Sequence, residues 1–80
     1  MSRKAKLLEK LRRSPNAVRF EEVRTLLEWY GLTLESARGS HYTYLLQGSL
    51  PLVVIRHTPH VKTYIVKRVI EFIDSECTSD

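Results

Sequence analysis

One segment of the chain combines a cation, a tight turn and a histidine: Arg38-Gly39-Ser40-His41. The next residues alternate as in a strand, so Tyr42 and Tyr44 share one face and His41 lies on the other. Gly39 permits the positive φ that a tight turn demands. An imidazole on the polar face of a half-buried strand is not needed for packing. Histidine as a residue type can accept and donate protons around neutrality, so His41 is the candidate catalytic residue.

A histidine in this position suits RNA cleavage, because RNA carries its own nucleophile, the 2′-hydroxyl. The reaction then needs a proton acceptor, a proton donor and positive charge at the phosphate, but no metal or organic cofactor. Arg38, Arg56 and Lys62 are the candidate phosphate-binding residues. A guanidinium is especially suitable, since it can hold two phosphate oxygens at once.

Two more histidines, His57 and His60, follow the third predicted strand. We interpret them as residues that support the loop, while an auxiliary catalytic role for either stays open. A zinc site built from His41, His57 and His60 is a weaker alternative, because no carboxylate or thiolate at a typical spacing completes it.

Hydrophobic spacing predicts the elements that position these residues. Leucines at positions 7, 8 and 11 mark the apolar side of a basic helix over residues 3–13, which ends at Ser14-Pro15-Asn16. A second helix is predicted over Phe20–Tyr30 and a last one over Tyr64–Ser75, with Thr63 as its N-cap. Three strands are predicted between them: Leu32–Arg38, a strand from His41, and Leu50–His57.

If the turn between the first two strands is centred on Gly39, the residue numbers of the two partners in each facing pair add up to 78. Such a register predicts five facing pairs: Tyr42 with Ser36, Tyr44 with Leu34, Leu46 with Leu32, His41 with Ala37, and Thr43 with Glu35. The apolar pairs then share the face that the helices cover, and His41 lies on the open face beside a small neighbour. Across the third strand, either Arg56 or His57 is expected opposite His41.

These elements predict an α+β fold: an antiparallel three-stranded sheet with helices on one face, in a single domain over residues 1–80. Within this domain, residues 1–16 add a basic helix and turn to the other elements. No apolar run approaches the roughly 20 residues that span a bilayer. The basic N-terminus lacks the apolar region of a signal peptide, and the chain has a single cysteine, so a cytoplasmic location without membrane contact is expected.

Charge is concentrated at the N-terminus. Six of the 13 lysines and arginines lie in residues 1–13, where Glu9 is the one acidic residue. Such a segment favours a polyanion partner, although a solvated helix face that keeps the protein soluble explains it equally well. If the leucines dock on the domain, we expect the cations to point outward: Lys4, Lys6, Lys10, Arg12 and Arg13.

The order helix, three strands, helix, with Arg38-Gly39-Ser40-His41 entering the second strand, resembles the HicA toxin family. Further matching residues are Phe20-Glu21-Glu22-Val23 and the helix around Val66-Lys67-Arg68-Val69-Ile70. The resemblance covers roughly residues 18–74 and implies a fold similar to double-stranded-RNA-binding domains. It also implies an endoribonuclease (mRNA interferase) that cleaves mRNA through His41, belongs to a toxin–antitoxin stress-response system and is neutralised by a HicB-like antitoxin.

The basic N-terminal helix has no counterpart in the compact members of this family, and the stretch from Arg56 to Lys62 matches only loosely. Carried over residue by residue, the resemblance makes His41 catalytic and places Gly39 and Ser40 with Arg38 at the bound RNA. Two alternatives remain: a non-catalytic RNA-binding module of the same fold, and a protein whose open sheet face contacts only another protein.

Overall fold

The computed structural model describes residues 2–77, so the ends of the predicted domain (residues 1 and 78–80) lie outside the described residues. Within that range the chain forms three helices and one antiparallel sheet with the strand order β1-β2-β3. The elements are α1 (Arg3–Arg13), α2 (Phe20–Trp29), β1 (Thr33–Arg38), β2 (His41–Leu45), β3 (Leu52–Ile55) and α3 (Thr63–Glu76). The predicted α+β class is confirmed. None of the described helices is long and apolar enough to cross a membrane.

Local hydrogen bonds explain where the helices begin. The Ser2 hydroxyl accepts from the backbone N–H of Ala5 at 3.1 Å, and Glu22 accepts from the N–H of Arg19 at 2.9 Å. The prediction of Thr63 as the N-cap of α3 is wrong, because Thr63 is already helical and Lys62 occupies the cap. The preceding residue, Val61, is buried and donates its N–H to the Val18 carbonyl at 2.7 Å, which fixes where the chain turns into the helix.

The β1–β2 register differs from the predicted one near the turn. Arg38 faces His41, Ala37 faces Tyr42 and Ser36 faces Thr43, whereas Leu34 faces Tyr44 as predicted. The connection is a two-residue turn, Gly39-Ser40, in which Gly39 has φ +58° and Ser40 does not have a positive φ. This pattern matches a hairpin turn with glycine first, which suits the twist of the strands.

A β-bulge restores the predicted register further along β1. The pairing shifts between Leu34 and Ser36, so that Glu35 is the additional residue on β1. Without it, the short turn would set Glu35, and not Leu34, opposite Tyr44. The bulge therefore keeps apolar side chains on one face of the sheet despite the two-residue turn.

The helices cover β2 and β3 but leave much of β1 exposed. Tyr44, Leu52 and Val54 are buried on the covered face, together with the apolar residues of the helices. Leu34, which was expected to pack beside Tyr44 in the core, keeps 50% of its surface exposed. β1 lies at the edge of the sheet, beyond the layer of helices. The alternating sequence pattern therefore predicted the correct face for Leu34, but the helices leave this part of the face uncovered.

The strand β3 is shorter than the predicted Leu50–His57. Leu50 lies outside it and is 84% exposed, and the ladder ends at Ile55. One further backbone bond, from Arg56 N–H to the Ser40 carbonyl at 2.7 Å, ties the end of β3 to the hairpin turn.

The N-terminal helix α1 docks through its leucines, as predicted. Leu11 is fully buried, and Leu7 and Leu8 pack partly against the core. The five cations that were expected to point outward are all at least partly exposed, but three of them contact neighbouring residues. Lys10 is paired with Glu22 of α2, and Arg12 with Asp74 of α3; Lys4 lies over the Tyr30 ring at 4.7 Å. Neighbouring helices hold these side chains because docking brings carboxylates and a ring within their reach.

We expect Gly39→Ala to destabilise the protein by about 1–2 kcal/mol, the cost of placing a side chain in the left-handed region. No atom lies within 4 Å of the position that a Cβ would occupy, so the cost arises from the backbone and not from a clash. Thermal unfolding measures the effect. Ser40→Ala is the matched control, since its change should stay within about 0.5 kcal/mol. Equal melting temperatures for both variants would contradict the turn assignment.

The pair of Arg12 and Asp74 should make a small, pH-dependent contribution to stability. The hydrogen bond from Arg12, and then its charge, lower the pKa of the Asp74 carboxyl from its ordinary 3.8. Because the folded pKa is the lower one, the stabilisation is complete above about pH 5 and is lost as the pH falls below 3.8.

A double-mutant cycle with Arg12→Gln and Asp74→Asn should give a coupling of about 0.2–1 kcal/mol at pH 7, as for exposed pairs. The coupling should decrease as the pH falls below 3.8, the ordinary pKa of the carboxyl. The matched control replaces Arg12→Gln by Arg13→Gln, since Arg13 has no ion pair within residues 2–77. A coupling that persists at low pH would show that packing, and not charge, joins the two helices.

Candidate functional site

The candidate site lies on the face of the sheet that the helices leave open. In antiparallel strands, residues directly opposite each other share a face, with Cβ atoms roughly 4.5–5.5 Å apart. His41 at the start of β2 has Arg38 on one side and Ile55 on the other. In the row Arg38–His41–Ile55 the imidazole therefore has a cation on one side and, on the other, a partly buried isoleucine that also packs against the core.

A second row extends the same face by two residues along β2. It consists of Ser36, Thr43 and Val53, each of them partly exposed. The hydroxyls of Ser36 and Thr43 can donate hydrogen bonds to phosphate or ribose oxygens, and Val53 continues the apolar strip that begins at Ile55. The surface thus changes from polar at β1 to apolar at β3.

The imidazole of His41 is available to a ligand. His41 is exposed, and among residues 2–77 no hydrogen bond, ion pair or ring contact occupies it. The guanidinium of Arg38, a predicted phosphate-binding residue, is likewise exposed and has no partner among residues 2–77. The predicted neighbour, Ala37, lies on the other face beside Tyr42. The two-residue turn is the cause, because it closes the hairpin one residue earlier than a turn centred on Gly39 would.

Arg56 does not join this row. The residue of β3 opposite His41 is Ile55, so the expectation of Arg56 or His57 there is wrong. The Arg56 guanidinium lies 5.2 Å from the centre of the Phe20 ring and donates to the Tyr42 hydroxyl at 3.3 Å. It is also 3.6 Å from a Glu21 carboxylate oxygen. The hydrogen bond to Tyr42 raises the pKa of Arg56, and Tyr42 packs on Phe20 on the face that the helices cover.

The remaining predicted residues lie in the segment between β3 and α3. His57 Nδ1 donates to the His60 carbonyl at 3.2 Å, which closes the loop around a cis Thr58–Pro59 bond and leaves Nε2 unprotonated in the neutral ring. This bond supports the interpretation of His57 as a loop residue. Lys62 is exposed at the N-cap of α3 and is not part of the strand rows.

The alternative zinc site does not form. Residues 2–77 contain no group of three or more histidine, cysteine, aspartate or glutamate side chains that could hold a metal ion, and this includes the set His41, His57 and His60. The chemistry that the site offers comes from a solvent-accessible imidazole and an adjacent guanidinium. Such a pair can transfer a proton and hold an oxyanion at neighbouring positions.

Sequence reasoning missed the two hydroxyls and the apolar strip of the open face. Thr43 was predicted on the face of His41, but Ser36 was assigned to the covered one, because the predicted register was one residue out at that point. Ile55 and Val53 were included in a strand whose pairing was left open. Glycine before serine in a two-residue turn is the signal that could have found the true register.

Buried Tyr44 has no access to a ligand, as its place in the predicted core implied. Only 1% of its surface is exposed, and burial raises the pKa of its hydroxyl, which has no hydrogen-bond partner among the described residues. Base stacking on Tyr44 is therefore excluded, and the stacking surfaces of the protein must be sought elsewhere.

Comparisons of the chain with protein-family models, with curated proteins and with solved structures found no significant match.

Proposed function

We propose that this protein is a metal-independent endoribonuclease, the toxin of a HicA-like toxin–antitoxin pair, and that His41 is its catalytic acid–base. The observation that carries the proposal is the free imidazole of His41 directly opposite Arg38 on the open face of the sheet. The resemblance of the segment Arg38-Gly39-Ser40-His41 to the family motif supports the same assignment.

In the proposed reaction, His41 removes the proton of a ribose 2′-hydroxyl, and the oxygen attacks the adjacent phosphorus. The P–O5′ bond breaks, so the products are a 2′,3′-cyclic phosphate and a 5′-hydroxyl. The leaving oxygen takes a proton from solvent or from the imidazolium just formed. Arg38 offers the two N–H donors that the negative charge on the phosphoryl oxygens requires as the attack proceeds. DNA lacks the nucleophile, which makes RNA the substrate.

The two strand rows supply what a bound RNA strand needs besides the reacting groups. The Ser36 and Thr43 hydroxyls are placed to contact the sugar–phosphate chain, and the Val53–Ile55 strip can hold the apolar face of a sugar or base. The exposed edge strand β1, with Leu34 half exposed, is a surface that a HicB-like antitoxin would cover. An inhibitor seated there would reach Arg38 and block the row that contains His41.

Replacing His41 by alanine should abolish cleavage without unfolding the protein. Positioned acid–base catalysis is worth roughly 10²–10⁴-fold, and the exposed ring contributes little to the core, so the melting temperature should hardly change. A gel of RNA incubated with each purified protein measures cleavage. His57→Ala is the matched control, because its ring supports a loop away from the strand rows. A folded His41→Ala protein that cleaves at the full rate would refute the assignment.

The ends of the products and the effect of a chelator check the same mechanism. Cleavage should persist in EDTA and leave cyclic phosphates. Activity that EDTA abolishes and zinc or magnesium restores would require a metal mechanism instead. A wild-type protein that binds RNA in a salt-sensitive way but never cleaves it would indicate the non-catalytic RNA-binding module.

The two arginines Arg38 and Arg56 should behave differently, since only Arg38 lies beside His41. Arg38→Gln should lower kcat by roughly 10–10³-fold, the range for loss of one charge-stabilising donor, with little loss of stability. Arg56→Gln should instead lower the melting temperature, because it removes the contacts with Tyr42, Phe20 and Glu21, and should leave kcat nearly unchanged. Single-turnover cleavage and thermal unfolding of both variants make the comparison. If Arg56→Gln lowered kcat and Arg38→Gln lowered only the melting temperature, the phosphate would have to bind beside Arg56 and not beside His41.

A further inference from the structure

A second surface, remote in sequence from His41, combines an aromatic ring with cations. Helices α1 and α2 form an open cleft of about 360 Å³, lined by Arg3, Lys6, Leu7, Lys10 and Trp29. The four α1 residues are spaced i, i+3, i+4 and i+7, so they lie along one face of that helix. Trp29 is the last residue of α2 and keeps 42% of its surface exposed. We call this surface the Trp29 cleft.

The cleft carries positive charge that the described part of the protein does not neutralise. Lys10 is paired with Glu22, so its charge is largely compensated. Arg3 and Lys6 are exposed, and neither side chain has an ion pair or hydrogen bond within residues 2–77. No carboxylate of residues 2–77 lines the cleft. Two cations without partners among residues 2–77 therefore line the same cleft as the apolar side chains of Trp29 and Leu7.

We propose that the Trp29 cleft binds single-stranded RNA, with one base stacked on the Trp29 indole and the flanking phosphates held by Arg3 and Lys6. Stacking on an aromatic side chain beside a basic groove is the usual physical basis of single-strand binding. The proposal rests on the proposed function in taking RNA as the ligand, but it does not depend on cleavage at His41. The cleft would act as a second anchor that raises affinity without choosing the cleavage site, because its contacts are to phosphates and to the face of a base.

The chemistry of the lining favours a nucleotide over an acidic peptide. A helical peptide docks through a row of apolar residues at i, i+3, i+4 and i+7, which needs a continuous hydrophobic groove. The apolar part of this cleft is limited to Trp29 and Leu7, enough for one planar ring. The separate cations fit the phosphates on either side of that ring.

The protein contains one tryptophan and four tyrosines, so fluorescence that is excited selectively in the indole reports on the surroundings of Trp29. The His41→Ala protein, which should leave RNA intact, is titrated with an unstructured 12-nucleotide RNA of mixed sequence while Trp29 fluorescence and the anisotropy of a label on the RNA are recorded. We expect saturable quenching with the same midpoint as the anisotropy change. Raising the salt concentration should weaken both.

Arg3→Gln with Lys6→Gln should weaken binding and reduce the slope of log K against log salt by about 1.4, since each lost phosphate contact on a single strand contributes about 0.7. The matched control is Arg24→Gln with Lys67→Gln, two exposed cations outside the cleft, which should change neither the quenching nor its midpoint. Trp29→Leu should weaken RNA binding roughly tenfold, the order of loss for one stacked base. Trp29→Phe should recover part of that loss, which a merely structural role would not predict.

Three results would overturn the proposal. If the anisotropy shows that RNA binds while Trp29 fluorescence stays unchanged, the RNA binds elsewhere on the protein. Polyphosphate that quenches as strongly as RNA shows that charge alone acts and that no base stacks. An oligoglutamate peptide that binds the cleft more tightly than RNA assigns it to an acidic protein partner. Cleavage by the wild-type protein is measured separately, so loss of the cleft proposal leaves the assignment of His41 intact, and absence of cleavage leaves the quenching result interpretable.

Discussion

The constraint on which the open face depends is the two-residue turn at Gly39-Ser40. Its positive φ at Gly39 closes the hairpin so that Arg38 and His41 become direct cross-strand neighbours. A turn longer by one residue would bring Ala37 to that position and leave the guanidinium beyond the end of the ladder. The candidate site is therefore a consequence of backbone geometry at a glycine, and the chemistry of two exposed side chains follows from it.

The short turn has a cost along β1, and the bulge at Glu35 offsets it. Every side chain beyond the bulge returns to the face on which the apolar pattern requires it, so that Leu34 faces Tyr44. A regular ladder could not pair Arg38 with His41 and also pair Leu34 with Tyr44, and the bulge allows both pairings. The residues near the turn are paired for the open face, and the residues away from it are paired for the core. Since Leu34 remains half exposed, the covered face of β1 tolerates this arrangement without a large packing penalty.

Docking of the N-terminal helix decides which of its cations are paired with carboxylates of the other helices. As a sequence, residues 3–13 present a nearly uniform basic surface. Once Leu11 is buried, Lys10 and Arg12 meet Glu22 and Asp74, and their charges join α1 to α2 and α3. The side chains of Arg3 and Lys6 have no partner among residues 2–77, and together with Trp29 they line a defined cleft that is both basic and aromatic. Exposed ion pairs contribute little individually, so the buried leucine supplies most of the docking energy.

The sequence by itself determined the class of fold, the order of its elements and the face on which His41 lies. Alternation over Tyr42 to Tyr44 and the helical spacing of Ile65, Val66 and Val69 are local periodic signals, and the structure follows both. Only the tertiary structure decided which residue faces His41, because register depends on turn length, on a bulge and on how far β3 extends. It likewise decided that Arg56 lies over Phe20 while the Arg38 guanidinium has no partner among residues 2–77. A long, flexible guanidinium takes the partners that the fold brings near it, and its position in the chain does not reveal them.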